Sequence, residues 1–152
     1  MTTMLAAALA AFGADADGKL YELRVYHSPE GKLDALHARF RDHTMKLFAK
    51  HGMENVGYWT PIDNRENKLV YVLAHQDRAA RDASFKAFVA DPAWQQAFKA
   101  SEADGPLVKV KAGKPMIAET FMTATDFSPK IAADQKGGRV FEIGRASCRE
   151  RV

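Results

Sequence analysis

The segment from Phe40 to Pro61 reads FRDHTMKLFAKHGMENVGYWTP and decides the predicted fold. Its first half completes an amphipathic helix that begins at Lys32, in which apolar residues recur at three- and four-residue steps. Gly52 follows this helix at the position where a C-cap glycine is expected. The residues from Glu54 to Ile62 then alternate as a strand, and two adjacent aromatic residues lie near its end. The segment therefore predicts a helix that turns back onto a sheet.

The rest of the chain supplies the other elements of this sheet. Strands are predicted at 20–26, 54–62, 68–75 and 115–123, and helices at 32–51, at 77–89 and from Pro92 onward. The order strand, helix, strand, strand, helix, strand is the ferredoxin-like βαββαβ arrangement. We predict an α+β domain in which helices cover one face of a four-stranded antiparallel sheet. The other face carries Leu, Val and Tyr side chains, so we expect a homodimer through this open face, as in a dimeric α/β barrel.

Length and composition exclude several classes of protein. The chain has 152 residues, of which 47% are hydrophobic and 27% are charged, as in one globular domain. No apolar run reaches the roughly 20 residues of a membrane-spanning helix, so no transmembrane segment is expected. The net charge is +3. The last ten residues contribute +2 of this charge.

The residues Ile143–Val152 resemble a translated sequencing adapter, and we interpret them as a non-native tail. This tail carries three arginines, one glutamate and the only cysteine, Cys148. Without it the net charge is +1, and bulk charge gives no reason to expect a nucleic-acid partner. The remaining chain has no thiol, so a disulfide, a cysteine metal site and a cysteine nucleophile are excluded there.

The composition divides the chain into four regions. We predict a leader or disordered arm at 1–17, the folded domain at 18–128, a linker with the start of a second repeat at 129–142, and the non-native tail at 143–152. An apolar run and the small-x-small pattern Ala14–Ala16 suggest a leader, which predicts export to the periplasm or outside the cell. Without a genuine leader, the cytoplasm is expected. The second repeat is suggested because Gly138–Glu142 matches Gly18–Glu22 class for class.

His43 is the first candidate for chemistry. On α-helical spacing it lies between Phe40 and Leu47, on the helix face that meets the sheet. An imidazole in that position can act as a general base, or as a ligand to a metal or haem. It can equally be a histidine at the edge of the core that is hydrogen-bonded to a neighbour. The histidines show no HxxxH or HxH spacing, so we predict no metal site.

Further candidates for ligand binding lie on the predicted strands. Three aromatic residues can line a pocket for a flat apolar ligand, or can pack within the sheet interface: Tyr58, Trp59 and Tyr71. Arg24 shares a sheet face with Glu22, and together with Glu119 these residues form a possible polar group on the predicted strands. This polar group can be a pocket anchor or a buried ion pair, and the sequence does not separate the two.

Several segments together resemble the NIPSNAP family over about residues 20–129. They are YELRVY, GKLDALHARFRDHTMKLFAKHGM, VGYWTP, LVYVLAH, RDASFKAFVADPAWQ and SEADGPLV. The first-helix segment and the DPxW-type segment Asp91–Trp94 are the specific parts, because alternating strands alone are common. The resemblance implies a dimeric α/β barrel, within a group that includes small monooxygenases, EthD-like proteins and haem-degrading enzymes.

Three functions follow as hypotheses. The first is a dimeric domain, needing no cofactor, that binds a small apolar or aromatic ligand in the helix–sheet cleft. Its predicted ligand-binding residues are Arg24, His43, Tyr58, Trp59 and Tyr71. The second is a monooxygenase-like or haem-associated enzyme that uses His43 as base or axial ligand. The third is a structural oligomerisation module with Trp59 and Tyr71 at the interface.

Overall fold

The computed structural model of the protein describes residues 18–129. The predicted leader, the predicted second repeat from residue 130 onward and the predicted tail lie outside the described residues. The strands are β1 (Leu20–His27), β2 (Glu54–Trp59), β3 (Lys68–His75), β4 (Val110–Lys111), β5 (Lys114–Pro115) and β6 (Ile117–Thr123). The helices are α1 (Leu33–Arg39), α2 (Met45–Lys50), α3 (Arg78–Ala90) and α4 (Pro92–Ser101), and a π-helical turn, Phe40–Thr44, joins α1 to α2.

Four strands form one antiparallel sheet in the order β2-β3-β1-β6. The alternating residues of β1 place Arg24 opposite Tyr71 on β3 and opposite Glu119 on β6. The predicted ferredoxin-like α+β fold is confirmed. One local difference is the short hairpin of β4 and β5, which lies between α4 and β6 and adds to the four predicted strands.

The core lies between the helices and one face of the sheet. Tyr71 is fully buried at its centre, and its ring centroid lies 5.2 Å from that of Phe40 and 6.1 Å from that of Phe48. On the sheet, the same ring lies 5.3 Å from the rings of Tyr26 and Tyr58. Aromatic side chains bury large areas and favour such edge-to-face and offset contacts. This cluster therefore fixes the first helix across β1, β3 and β2.

The π-helical turn changes which residues of the first helix meet the sheet. The N–H of Met45 donates to the carbonyl of Phe40, five residues earlier, instead of four. The extra residue in this turn rotates the following side chains relative to an α-helix. Thr44 consequently takes the buried position, and His43 is exposed. The prediction that His43 faces the sheet is wrong, because it assumed 3.6 residues per turn throughout.

Arg39 is a second difference, because a charged residue of an amphipathic helix is expected on the solvent face. The residue is buried, and its Nη1 lies 2.9 Å from the Glu102 carboxylate at the end of α4. Its guanidinium also lies over the rings of Trp94 and Phe98, at 5.5 and 5.2 Å from their centroids. Because α4 packs against α1, this arginine lies in the interior of the domain and not in solvent.

The junction between α3 and α4 lies where the Asp91–Pro92 pair predicted it. Asp91 is the N-cap of α4, and its Oδ1 accepts a hydrogen bond of 2.9 Å from the N–H of Ala93. Its Oδ2 lies 2.7 Å from Nζ of Lys50 and 2.8 Å from Nε2 of His51. Hydrogen bonds from Lys50, His51 and the Ala93 backbone hold the pKa of Asp91 well below its usual range. One carboxylate thus caps α4 and attaches it to the end of the first helix.

Replacing Asp91 tests this junction. We expect Asp91→Ala to lower the melting temperature by at least about 5 °C, because the cap and both ion-pair partners are lost together. Asp91→Asn keeps a capping oxygen and should lower the melting temperature by less. Thermal unfolding followed by circular dichroism measures both. Asp104→Ala removes an exposed aspartate at the end of the helical region and is the control. Equal melting temperatures for Asp91→Ala and the control would contradict the role of the junction.

Candidate functional site

A cleft of about 210 Å³ opens between the π-helical turn and the edge strand β2. Phe40, Tyr58 and Leu69 form apolar walls on the helix side and the sheet side. Polar groups lie among the other lining residues. The complete lining consists of His37, Phe40, Arg41, Met45, Tyr58, Trp59, Thr60 and Leu69.

Hydrogen bonds attach β2 to the helix beside this cleft. The ring of Tyr58 stacks on that of Tyr71, with centroids 5.3 Å apart and planes inclined by 17°. Its hydroxyl donates to Oδ1 of Asn55 at 2.5 Å, and Nδ2 of Asn55 donates to the Met45 carbonyl at 3.1 Å. Burial, with a smaller contribution from Tyr26, raises the pKa of Tyr58 well above its usual value. The phenol is therefore a neutral donor that holds the cleft wall in place.

Trp59 is among the residues that line the cleft, and its pairing opposite Val70 places its side chain on the sheet face opposite to that of Tyr58. The indole of Trp59 folds back over Gly57, where a Cβ atom would lie only 2.5 Å from Cη2 of the indole. Any side chain at position 57 would displace the ring. The glycine in β2 therefore has a packing reason, which is the close approach of Trp59.

Polar side chains at the cleft come from the first helix and from the end of β2. His37 and Arg41 are four residues apart and both line the cleft. Nε2 of His37 lies 3.4 Å from Oγ1 of Thr60. None of the cleft-lining residues is acidic. The cleft thus combines apolar walls with a positively charged guanidinium.

The structure brings together only some of the predicted site residues. Tyr58 and Trp59 line the cleft, whereas Tyr71 lies behind Tyr58 and is fully buried. His43 is exposed and is not among the lining residues. Arg24 belongs to a separate network. Tyr71 packs against the helices, so the hypothesis that it contributes to an interface on the open sheet face is wrong.

Sequence reasoning missed the helix side of the cleft. His37 and Arg41 follow an i, i+4 pattern, which places them on one helix face. That spacing indicates a shared helix face, but only the packing of β2 beside the π-helical turn shows that this face lines a cleft. Met45 was missed for the same reason.

The polar group around Arg24 is a buried ion-pair network. Glu22 is 0% exposed, and its carboxylate accepts two hydrogen bonds from Arg81 of α3, at 2.9 Å from Nε and 2.6 Å from Nη2. It also lies 2.5 Å from Nη1 of Arg24 and 3.2 Å from Nε2 of His75. Arg24 extends the network to Glu119 at 2.7 Å. Of the two interpretations of this polar group, a pocket anchor or a buried ion pair, the geometry therefore agrees with the buried ion pair.

The charge state of Glu22 follows from its partners. Burial by itself would raise the pKa of Glu22. The hydrogen bonds from Arg81 and His75, and the charge of Arg24, outweigh burial and hold the pKa well below the ordinary value of 4.5. The carboxylate is therefore ionised in the folded protein at neutral pH.

The side chains of residues 18–129 bear on two other kinds of site, a metal site and a membrane-spanning helix. No group of three or more His, Cys, Asp or Glu side chains in this range is arranged to hold a metal ion. Of the helices between these same limits, none has both the length and the apolar character needed to cross a membrane.

The fold and the cleft define a class of protein. A four-stranded antiparallel sheet with helices on one face is the ferredoxin-like α+β domain. The sequence pattern of the NIPSNAP family matches residues 21–129. The chain therefore belongs to the NIPSNAP family.

Solved structures agree with this assignment of the fold. A NIPSNAP family protein of unknown function from Agrobacterium tumefaciens is 24% identical, with a TM-score of 0.61, covering 73% of this chain and 92% of that chain. An uncharacterised NIPSNAP domain protein from Burkholderia xenovorans is 22% identical, with a TM-score of 0.59, covering 73% and 99% respectively. A NIPSNAP-like protein from the same organism is 16% identical, with a TM-score of 0.63, covering 76% and 92%. No curated protein matches the chain.

Removing the charge of Glu22 tests the network. We expect Glu22→Gln to lower the free energy of unfolding by about 3 kcal/mol, because Arg24 and Arg81 lose their shared buried carboxylate. Chemical denaturation measures this change. Glu30→Gln, which removes an exposed glutamate, is the matched control and should leave the midpoint almost unchanged.

The same pair of variants has a pH signature. Because folding lowers the pKa of Glu22, its contribution to stability is complete above the unfolded-state value of 4.5 and is lost as the pH falls below that value. The wild type and Glu30→Gln should therefore lose stability more steeply in acid than Glu22→Gln. Parallel pH profiles for all three proteins would contradict the assignment to Glu22.

Proposed function

We propose that this protein binds a small apolar or aromatic ligand in the cleft between the π-helical turn and β2. The observation that carries the proposal is a concave site walled by Phe40, Tyr58 and Leu69. Binding sites for small molecules combine apolar walls with a few polar groups in this way. The polar groups here are those of His37 and Arg41.

The volume of the cleft limits the ligand. A dry protein cavity of about 150 Å³ holds one benzene molecule. A cleft of about 210 Å³ therefore matches a single aromatic ring with a short substituent. Larger flat ligands would extend past Trp59 and Thr60 at the cleft edge into solvent. The proposal concerns binding, and it gives His43 no role because this residue lies outside the cleft.

Filling the cleft tests the proposal. We expect wild-type protein to broaden and shift the ¹⁹F NMR signal of 4-fluorotoluene, a neutral single-ring probe. Met45→Trp places a large ring among the lining residues and should weaken binding by about tenfold or more. The dissociation constant from a ¹⁹F titration measures the effect.

The neighbouring residue provides the control for this substitution. Lys46→Trp introduces the same ring at an exposed position of the same helix and should leave the titration unchanged. Circular dichroism establishes that both variants keep the fold. Absence of probe binding to the wild type, or equal binding to Met45→Trp, would contradict ligand binding in the cleft.

We also propose that two copies associate through the open sheet face. The side chains on this face alternate with those that meet the helices, and they are mainly apolar. They are partly or fully accessible in the single chain: Leu23, Val25, Val70, Val72, Ala118 and Met122. An apolar sheet face must be buried against another layer, and a second copy offers a self-complementary one. The open face supports a two-fold homodimer.

A charge in the centre of this face should separate the copies. We expect the wild type to have twice the chain mass in light scattering after size exclusion, and Val72→Arg to have the mass of one chain. Val72 lies on the central part of β3 and is partly buried. Val89→Arg makes the same change at a residue of α3 that is 57% exposed, and should remain dimeric. A monomeric wild type would refute the dimer, and a dimeric Val72→Arg would refute this face as the interface.

A further inference from the structure

The arginines of the described residues differ in their partners. Every arginine in residues 18–129 except Arg41 lies within 4 Å of a carboxylate. These five are Arg24, Arg39, Arg65, Arg78 and Arg81. Arg41 makes no ion pair with any residue in this range, although Asp42 is its neighbour in sequence. Arg41 is also the arginine that lines the cleft.

From this contrast we infer that the cleft takes a single-ring aromatic carboxylate, with the ring against the apolar walls and the carboxylate on Arg41. The inference rests on the proposed function, because it names the chemical class of ligand for the same cleft. A planar guanidinium binds a carboxylate through two parallel hydrogen bonds, which adds orientation to attraction.

The surroundings of Arg41 favour an anion over a cation or a neutral group. None of the eight lining residues carries a carboxylate, so nothing in the cleft competes for Arg41 or repels an anion. His37 lies one helical turn earlier on the same face and adds an imidazole at the cleft. Thr60 is close to it, with Oγ1 3.4 Å from Nε2. These groups offer hydrogen bonds to carboxylate oxygens.

The walls set the apolar part of the ligand. Phe40 and Tyr58 contact each other edge to face, with ring centroids 5.8 Å apart and planes inclined by 65°, and so form one continuous apolar wall. Leu69 is buried beside them on β3. An aromatic ring gains both apolar burial and edge-to-face contacts against such walls. The cleft volume of about 210 Å³ admits one ring, so a monocyclic acid fits better than a polycyclic one.

Three probes of one size distinguish the charge preference from simple ring binding. They are 4-fluorobenzoate, 4-fluorobenzyl alcohol and 4-fluorobenzylamine, titrated into the full chain and followed by ¹⁹F NMR. We expect the benzoate to bind at least about fivefold more tightly than the alcohol, and the amine to bind most weakly. Raising the sodium chloride concentration should weaken the binding of the benzoate and leave the affinity for the alcohol unchanged.

Arg41→Gln separates the role of the guanidinium from that of the walls. The affinity of this variant for the benzoate should fall to its affinity for the alcohol, while its affinity for the alcohol stays at the wild-type value. Lys86→Gln removes an exposed cation on α3 and is the matched control, with all three affinities unchanged.

The outcomes distinguish this inference from the function on which it rests. Equal binding of the benzoate and the alcohol to the wild type would overturn the acid class and leave ligand binding intact. An unchanged benzoate affinity in Arg41→Gln would overturn the role of Arg41. Binding of none of the probes would overturn the proposed function and this inference together.

Discussion

One buried carboxylate connects three strands of the main sheet to helix α3. Glu22 on β1 accepts hydrogen bonds from Arg81 on α3 and lies beside His75 on β3, while Arg24 carries the network on to Glu119 on β6. A buried charge is tolerated only when it is paired and hydrogen-bonded, so each of these elements must be in place for the others to be satisfied. The network lies toward the β6 side of the sheet and the cleft lies beside β2, at the opposite edge. Structural polar groups and the candidate binding groups are thereby kept apart.

The π-helical turn is the second constraint, and it shapes the cleft. The hydroxyl of Thr44 donates to the carbonyl of Arg39, five residues earlier, at 3.2 Å. This side chain thus satisfies a backbone group near the widened turn. The turn places Phe40 and Thr44 inward, directs His43 to solvent and leaves Arg41 at the cleft. Short π-helical turns inside α-helices frequently occur at functional sites, and the position of the cleft agrees with that tendency.

Local signals predicted most of the fold, and longer-range contacts account for the errors. Alternation along the strands and the Asp91–Pro92 pair are properties of adjacent residues, so the sheet and the α3–α4 junction could be predicted. The orientation of His43 could not be predicted, because a helical wheel assumes a regular α-helix and does not include the extra residue of a π-helical turn. The burial of Arg39 depends on Glu102, which lies 63 positions along the chain. The strand side of the cleft was predicted, because aromatic residues on a strand are usual candidates for a binding site. The helix side was not predicted, because an arginine on a helix, such as Arg41, is normally assigned to solvent.

The irregularity of β2 affects how copies of this chain can meet. β2 has one neighbour in the described sheet, and the pairing shifts between Asn55 and Gly57, so that Val56 has no partner on β3. Such a bulge bends the strand and breaks the regular spacing of its outward N–H and C=O groups. Pro61, two residues past the strand, cannot donate a backbone hydrogen bond. Strand-by-strand extension into aggregates is therefore disfavoured at this edge, which protects the chain from misassociation.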